Sequence, residues 1–259
     1  MQPIPIFDRL SFARRGRSVQ LTCNEPSLPT DARNLVFRAA ELFLQAAQIK
    51  EGIEIQLDKR LPLSAGLGGG SGNAATTLLA LNELFGHTLT SARLHELAVA
   101  LGSDVPFFLQ TKPALATGRG ELIEPLDPFP ALQGTAFLLI HPGFGISTPW
   151  AYQQLASFPS ALNGQPGRGR ELVSLLQSSS PALGGARLYN SLEGPALEKF
   201  PILALYQEFL RENGAAATLM SGSGSTTFAI TTSPTLAQEL GARFKTRFGG
   251  AHWQAVAIL

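Results

Sequence analysis

The stretch Leu61–Gly86, LPLSAGLGGGSGNAATTLLALNELFG, sets five glycines and two serines within the eleven residues 62–72, then turns into an Ala/Leu-rich run. Glycine loses more backbone freedom on folding than any other residue, so such a loop is costly unless bare backbone is needed. A helix that starts directly after it presents unpaired N–H groups and the positive end of its dipole, a ready place for phosphate. The competing reading is a tight turn packed on a neighbouring element. Ala74, Ala75, Leu78, Leu81, Leu84 and Phe85 carry a helical period onward, and Gly86 predicts its stop.

Outward from this loop, SVQLT (18–22) and IEIQL (53–57) alternate apolar and polar residues as half-buried strands do. Between them Thr30 or Asp31 is the expected cap of a helix on which Leu35, Ala39, Leu42, Phe43 and Ala46 recur. Downstream, a helix is predicted from Ser91 to Leu101 with Gly102 as its stop, then a turn at the proline of SDVPFFL (103–109). AFLLIHP (136–142) reads as a buried strand. The text from Phe144 to Gly185 is rich in Gly, Pro and Ser, with NGQPGRGR (163–170) as the expected mobile loop. One helix is predicted over Pro195–Asn213, and two strand-like runs flank a small-residue turn within 217–230. A helix (Thr235–Phe248) and a strand (Trp253–Leu259) finish the chain. Strands and helices interleave without a strict βαβα order, which predicts an α+β fold in two lobes, 1–130 and 131–259.

Composition narrows the function. The 259 residues are 44% hydrophobic and 15% charged, as an ordered globular chain requires. A net charge of +1 supplies no field to draw in nucleic acid or a membrane surface, so neither is expected as a partner. Arg14, Arg15 and Arg17 read as a solvated basic loop. Cys23 is the single cysteine, so no internal disulfide forms, and the four histidines lack metalloprotease spacing. No apolar run has membrane-spanning length and no signal pattern opens the chain; a cytoplasmic protein is expected.

The common phosphate loops do not match. No Gly-Lys pair exists for a Walker loop, and no G-x-S-x-G elbow is present. Gly70-x-Gly72-x-x-Ala75 fits the short dinucleotide pattern, but Pro62 and its successors separate the strand from the loop. The pattern that fits is Pro62-x-x-x-Gly66-Leu67-Gly68-Gly69-Gly70-Ser71 followed by Asn73-Ala74-Ala75. It resembles the nucleotide loop of the GHMP kinases, and within them is most similar to the 4-diphosphocytidyl-2-C-methyl-D-erythritol kinases of non-mevalonate isoprenoid synthesis. NLVFRAAELF (34–43), LGSDVPFFL (101–109), ATGRGE (116–121), HPGFGISTP (141–149), YNSLEGPAL (189–197) and SGSGSTTFA (221–229) are similar to that family's segments, in its order.

The resemblance implies a two-lobed kinase with a ferredoxin-like C-terminal lobe, ATP as co-substrate with Mg²⁺, and a small-molecule alcohol as acceptor. It implies that Asp104 is the catalytic aspartate; by local sequence alone Asp104 reads as a helix cap. It assigns Lys59, Pro62, Gly66, Leu67, Gly68, Gly69, Gly70, Ser71 and Gly72 to ATP; Lys59 otherwise reads as a surface lysine. It assigns Thr148, Pro149, Tyr152 and the turn Ser221, Gly222, Ser223, Gly224 to substrate, with Tyr152 stacking on a cytosine ring. The alternatives are a core position for Tyr152 and a plain hairpin for the turn. Asn190 and Glu193 are expected to be structural. Ser71 would offer its hydroxyl and N–H to phosphate or reach the Mg²⁺, where a helix cap is the alternative; no other metal ligand is assigned.

Two departures carry expectations. Gly72 stands where the family has a second serine, which removes a hydroxyl and leaves only its N–H for phosphate. The family's Ala-Lys-Ile/Leu-Asn and Gly-Tyr-His segments have no counterpart before residue 34, so the expectation is a chain that starts late, binds ATP poorly and turns over slowly. Another GHMP kinase, acting on mevalonate or a sugar, and a non-catalytic remnant are the alternatives.

Overall fold

The computed structural model describes residues 1–162, 167–178 and 188–259. Met1–Pro3, Phe7–Leu61 and Gly68–Leu126 form one compact unit; Ile4–Ile6, Pro62–Leu67 and Asp127–Leu259 form a second. Unit one therefore ends at Leu126, and half of the glycine loop is grouped with each unit.

In the first unit, β1 (Arg9–Arg14), β2 (Val19–Cys23) and β3 (Ile53–Asp58) make a sheet of order β1-β3-β2. β1 runs antiparallel and β2 parallel to β3, with Phe12 and Leu21 both opposite Ile55. The alternation puts Leu10, Phe12, Leu21, Ile53, Ile55 and Leu57 into one core with three helices. These are α1 (Leu35–Ala46), α2 (Gly69–Leu84) and α3 (Ser91–Leu101). Burying each such aliphatic or aromatic side chain contributes about 1.5–3 kcal/mol. The hairpin β4 (Ala114–Thr117) and β5 (Leu122–Pro125) completes the unit.

The sequence reading misplaces the cap of α1. Asn34, not Thr30 or Asp31, is the N-cap; its side chain accepts from the Val36 amide at 2.9 Å. Asp31 instead binds Arg33, two residues on. The Arg14–Arg17 stretch is solvated as expected, but Arg14 belongs to β1 and pairs with Glu51.

In the second unit, β6 (Ala136–His141), β7 (Ala217–Met220), β8 (Thr227–Thr231) and β9 (Trp253–Ile258) form an antiparallel sheet of order β7-β8-β6-β9. Between them run α4 (Thr148–Leu155), α5 (Arg168–Gln177), α6 (Glu193–Lys199), α7 (Ile202–Glu212) and α8 (Pro234–Phe248). β6-α7-β7-β8-α8-β9 with that strand order is the ferredoxin-like arrangement. Leu138, Ile140, Leu203, Tyr206, Leu210, Leu240 and Phe244 are among the residues of its core.

The single helix expected over Pro195–Asn213 is two. Phe200 precedes Pro201 and is driven out of the α region, to φ −126° and ψ 71°, by the proline ring. The mobile loop expected at 163–170 is corrected in part: α5 begins at Arg168, and 163–166 lie outside the described residues.

Candidate active site

The first turn of α2 is built from glycine and has no side-chain cap. Its N-cap, Gly68, is left-handed at φ +67°, a conformation that suits glycine. Gly72 is the first residue of the helix to donate inward, to the Gly68 carbonyl at 2.8 Å. Helix geometry therefore leaves the amides of Gly69, Gly70 and Ser71 pointing out of the N-terminus. Gly70 is exposed and its neighbours are half-buried, so the turn is open rather than sealed.

Glycine is not required everywhere for the same reason. A Cβ on Gly68 would stand 2.5 Å from the Phe108 ring, and one on Gly72 would stand 3.4 Å from it. A Cβ on Gly70 would meet nothing nearer than Leu35 at 3.6 Å. Protein packing thus explains Gly68, whereas Gly70 has room for a side chain and none is there.

Asp104 lies between α3 and the 3-10 turn Pro106–Leu109. The turn is capped by Val105 without any side-chain bond, so Asp104 is not the cap that its local sequence suggests. Its carboxylate is exposed and makes no hydrogen bond or ion pair with the described residues. The protein around it still displaces water, and this desolvation raises its pKa above the ordinary value of 3.8. Gly120, at φ +117° in the β4–β5 turn, would bring a Cβ within 3.5 Å of Asp104 Oδ1.

Lys59 is not a surface lysine. Its side chain is 6% exposed, and its Nζ donates to Asp8 Oδ2 at 2.8 Å and to the Leu61 carbonyl at 2.7 Å. These bonds point the ammonium into the protein beneath the first turn of α2, where a Gly69 Cβ would be 3.4 Å from it. Lys59 therefore lies behind the first turn of α2, and the Gly72 amide is bonded within the helix.

In the second unit, Pro62–Leu67 meets the turn Ser221–Gly224 backbone to backbone. Ser221 Oγ donates to the Gly66 carbonyl at 2.8 Å and the Thr226 amide to Ala65 at 3.1 Å. A Cβ on Gly66, itself at φ +72°, would fall 1.9 Å from the Ser221 carbonyl oxygen. Ser223 Oγ and Thr148 Oγ1 are 2.7 Å apart, which ties the turn to the start of α4. Pro149 and Tyr152 follow on α4; Tyr152 is 61% exposed, so the core reading for it fails.

Asn190 and Glu193 bracket the turn. Asn190 Nδ2 donates to the Met220 and Gly222 carbonyls at 2.9 and 2.7 Å. Glu193 accepts from the Met220 amide at 2.7 Å and from Gln207 at 2.6 Å. Burial raises the pKa of Glu193, with these bonds opposing the shift.

Comparison with known proteins fits this geometry. Residues 34–112 match the family described as GHMP kinases N terminal domain, and residues 161–250 match GHMP kinases C terminal. The chain belongs to the GHMP kinases. A 4-diphosphocytidyl-2-C-methyl-D-erythritol kinase of Synechococcus sp. (strain JA-3-3Ab) is 43% identical over 89% of this chain and 75% of its own. A kinase of the same name from Pelotomaculum thermopropionicum is 40% identical over 95% and 84%. Among solved structures, a 4-(cytidine 5'-diphospho)-2C-methyl-D-erythritol kinase superposes with a TM-score of 0.73 at 33% identity, covering 97% of this chain and 86% of that one. Homoserine kinase from Cytophaga hutchinsonii superposes at 0.80 with 25% identity and the same coverage. Backbone similarity therefore marks the GHMP fold, and sequence identity separates its members.

Sequence reasoning missed the hub under the first turn of α2 in this GHMP kinase. Asp8 lies before β1, with a fully buried side chain. Its partners are 51 to 65 residues away, so no local pattern announces it. Among the described residues no group of three His, Cys, Asp or Glu is placed to hold a metal ion.

Proposed function

We propose that this chain transfers the γ-phosphoryl group of ATP to the 2-hydroxyl of 4-diphosphocytidyl-2-C-methyl-D-erythritol. Its identity to kinases of that name over nearly its whole length is the observation that carries the reading. The amides of Gly69, Gly70 and Ser71 hold the phosphates at the α2 terminus, where dipole and donors favour anions. Asp104, unpaired and open, takes the proton of the substrate hydroxyl as its oxygen attacks the γ-phosphorus and the bond to the leaving ADP oxygen breaks. Mg²⁺ comes with the ATP phosphates, as is usual for this ion, and the Ser71 hydroxyl is the side chain of the first turn that suits it.

In the second unit, Thr148, Pro149, Ser221, Gly222, Ser223 and Gly224 are the proposed substrate contacts. Tyr152 offers an exposed ring for stacking on cytosine, an interaction worth about 1–3 kcal/mol per base in single-strand binders. Dependence on ATP supports a cytoplasmic setting.

The test is ADP release by the purified chain with the cytidine-linked alcohol, mevalonate, homoserine and galactose. The expected result is a kcat/KM for the cytidine substrate at least about 100-fold above the others, since a site built to hydrogen-bond a group rejects analogues lacking it. Preference for another alcohol overturns the substrate, and no turnover with any of them overturns the kinase.

A further inference from the structure

The Asp8 hub is a buried cluster of charged and polar groups that the phosphate-transfer chemistry does not use. Asp8 Oδ1 accepts from the amides of Arg60 at 2.7 Å and Leu61 at 2.8 Å. Asp8 Oδ2 accepts from Lys59 Nζ at 2.8 Å and from Asn73 Nδ2 at 2.7 Å. One carboxylate thus holds both the exit of β3 and a residue of α2 that follows the glycine turn. The side chains of Asp8 and Lys59 are 0% and 6% exposed, and Asn73 is 8% exposed. A Cβ on Gly69 would lie 3.4 Å from Lys59 Nζ and 3.7 Å from Asp8 Oδ2, so the hub sits directly behind the turn.

We propose that Asp8, acting through Asn73 and Lys59, is a positioning residue for ATP: its carboxylate fixes the uncapped first turn of α2 so that the Gly69, Gly70 and Ser71 amides converge on phosphate. The inference rests on the reading that this turn binds ATP. An uncapped helix start made of glycine has no side chain of its own to hold its shape, and glycine has the widest backbone freedom to lose. Asn73 is the anchor nearest to the turn that grips something outside the helix. Buried polar groups held in hydrogen bonds rigidify the backbone that carries them.

The variants follow from the division of labour between the two oxygens. In Asp8→Asn, the amide oxygen still accepts from the Arg60 and Leu61 amides. Its NH₂ then faces two donors, Lys59 Nζ and Asn73 Nδ2, and that half of the hub is lost. Asn73→Ala removes only the link to the helix and leaves the Asp8–Lys59 pair intact.

The experiment measures ATP binding at equilibrium, steady-state KM and kcat, and Tm for the wild type and both variants. The expected result is a KM for ATP raised about tenfold or more in each folded variant with kcat changed less than about threefold, as misplaced positioning groups cost about that or more. A folded variant whose ATP affinity equals the wild type's overturns the proposal, and so does failure of both variants to fold, which would make the hub a folding element alone. A wild type that binds no ATP defeats the underlying kinase reading instead, and is recognised before any variant is compared.

Discussion

Asp104 makes no hydrogen bond or ion pair among the described residues. A carboxylate kept for structure is paired or caps a helix, and this one does neither. Asp104→Asn should therefore lower kcat by about 10²–10⁴, the range for loss of a general base, while stability stays within about 0.5 kcal/mol of the wild type's. Its raised pKa sets the sign of the pH dependence. Activity is full above the raised value and falls as pH drops through it, so the acid limb of kcat/KM lies above 3.8. The pH–rate profile of the wild type checks this, and the limb should vanish in the residual activity of the variant. Asp104 could be singled out from sequence because its neighbours form a contiguous motif that resembles the family's. Asp8 could not, because its role is made entirely by chain segments remote in sequence.

At the scale of elements, legibility followed how local the cause is. α3 was read closely because its apolar period and its Gly102 stop are contiguous, while its Thr90 cap went unread. The α6–α7 break was present in the sequence as Phe200-Pro201, but the apolar period runs across it and hid it. β1, RLSFAR, alternates over only six residues among charged ones, and its pairing to β3 is what makes it a strand. The glycine loop shows the two uses of glycine side by side, and a paired substitution separates them. Gly66→Ala forces a left-handed residue with its Cβ 1.9 Å from a backbone oxygen. It should cost about 2–5 kcal/mol from strain and overpacking. Gly70→Ala meets nothing closer than 3.6 Å. There alanine should stabilise the helix by about 0.5–1 kcal/mol. Thermal unfolding reads both changes, and ATP titration should show Gly70→Ala binding more weakly despite its higher Tm. A Gly70→Ala chain with unchanged affinity would mean that no ligand approaches that backbone.

For the whole molecule, the near-neutral net charge leaves stability to the two cores and to a few buried ionisable groups. Exposed pairs such as Arg14–Glu51 are screened by solvent and add little. His141, at the end of β6, is 5% exposed; its Nδ1 accepts from the Gly143 amide at 3.3 Å, and its Nε2 has no partner. Desolvation lowers its pKa below the ordinary 6.5, so the folded chain keeps it neutral where the unfolded chain takes a proton. The contribution to stability is intact above 6.5 and is lost as pH falls from there toward the depressed folded value. Glu193 and Asp104 act with the opposite sign at lower pH, because burial makes the folded state bind their protons first. Asp8 is different again: burial raises its pKa, but the bonds from Leu61, Lys59, Arg60 and Asn73 outweigh burial and leave it lowered. Its contribution is therefore lost only as pH falls below 3.8. The Met1 amino group, its pKa lowered from 8.0 by burial, acts with the same sign as His141, so the loss of stability below 6.5 is shared between the two. Tm should be lower at about pH 5.5 than at about pH 7.5, each tenfold difference in proton affinity between the states being worth about 1.4 kcal/mol. His141→Asn removes one of the titrating groups, so the Tm difference over that interval should shrink whatever its absolute level. A difference that the substitution leaves unchanged would place the titration elsewhere in the molecule.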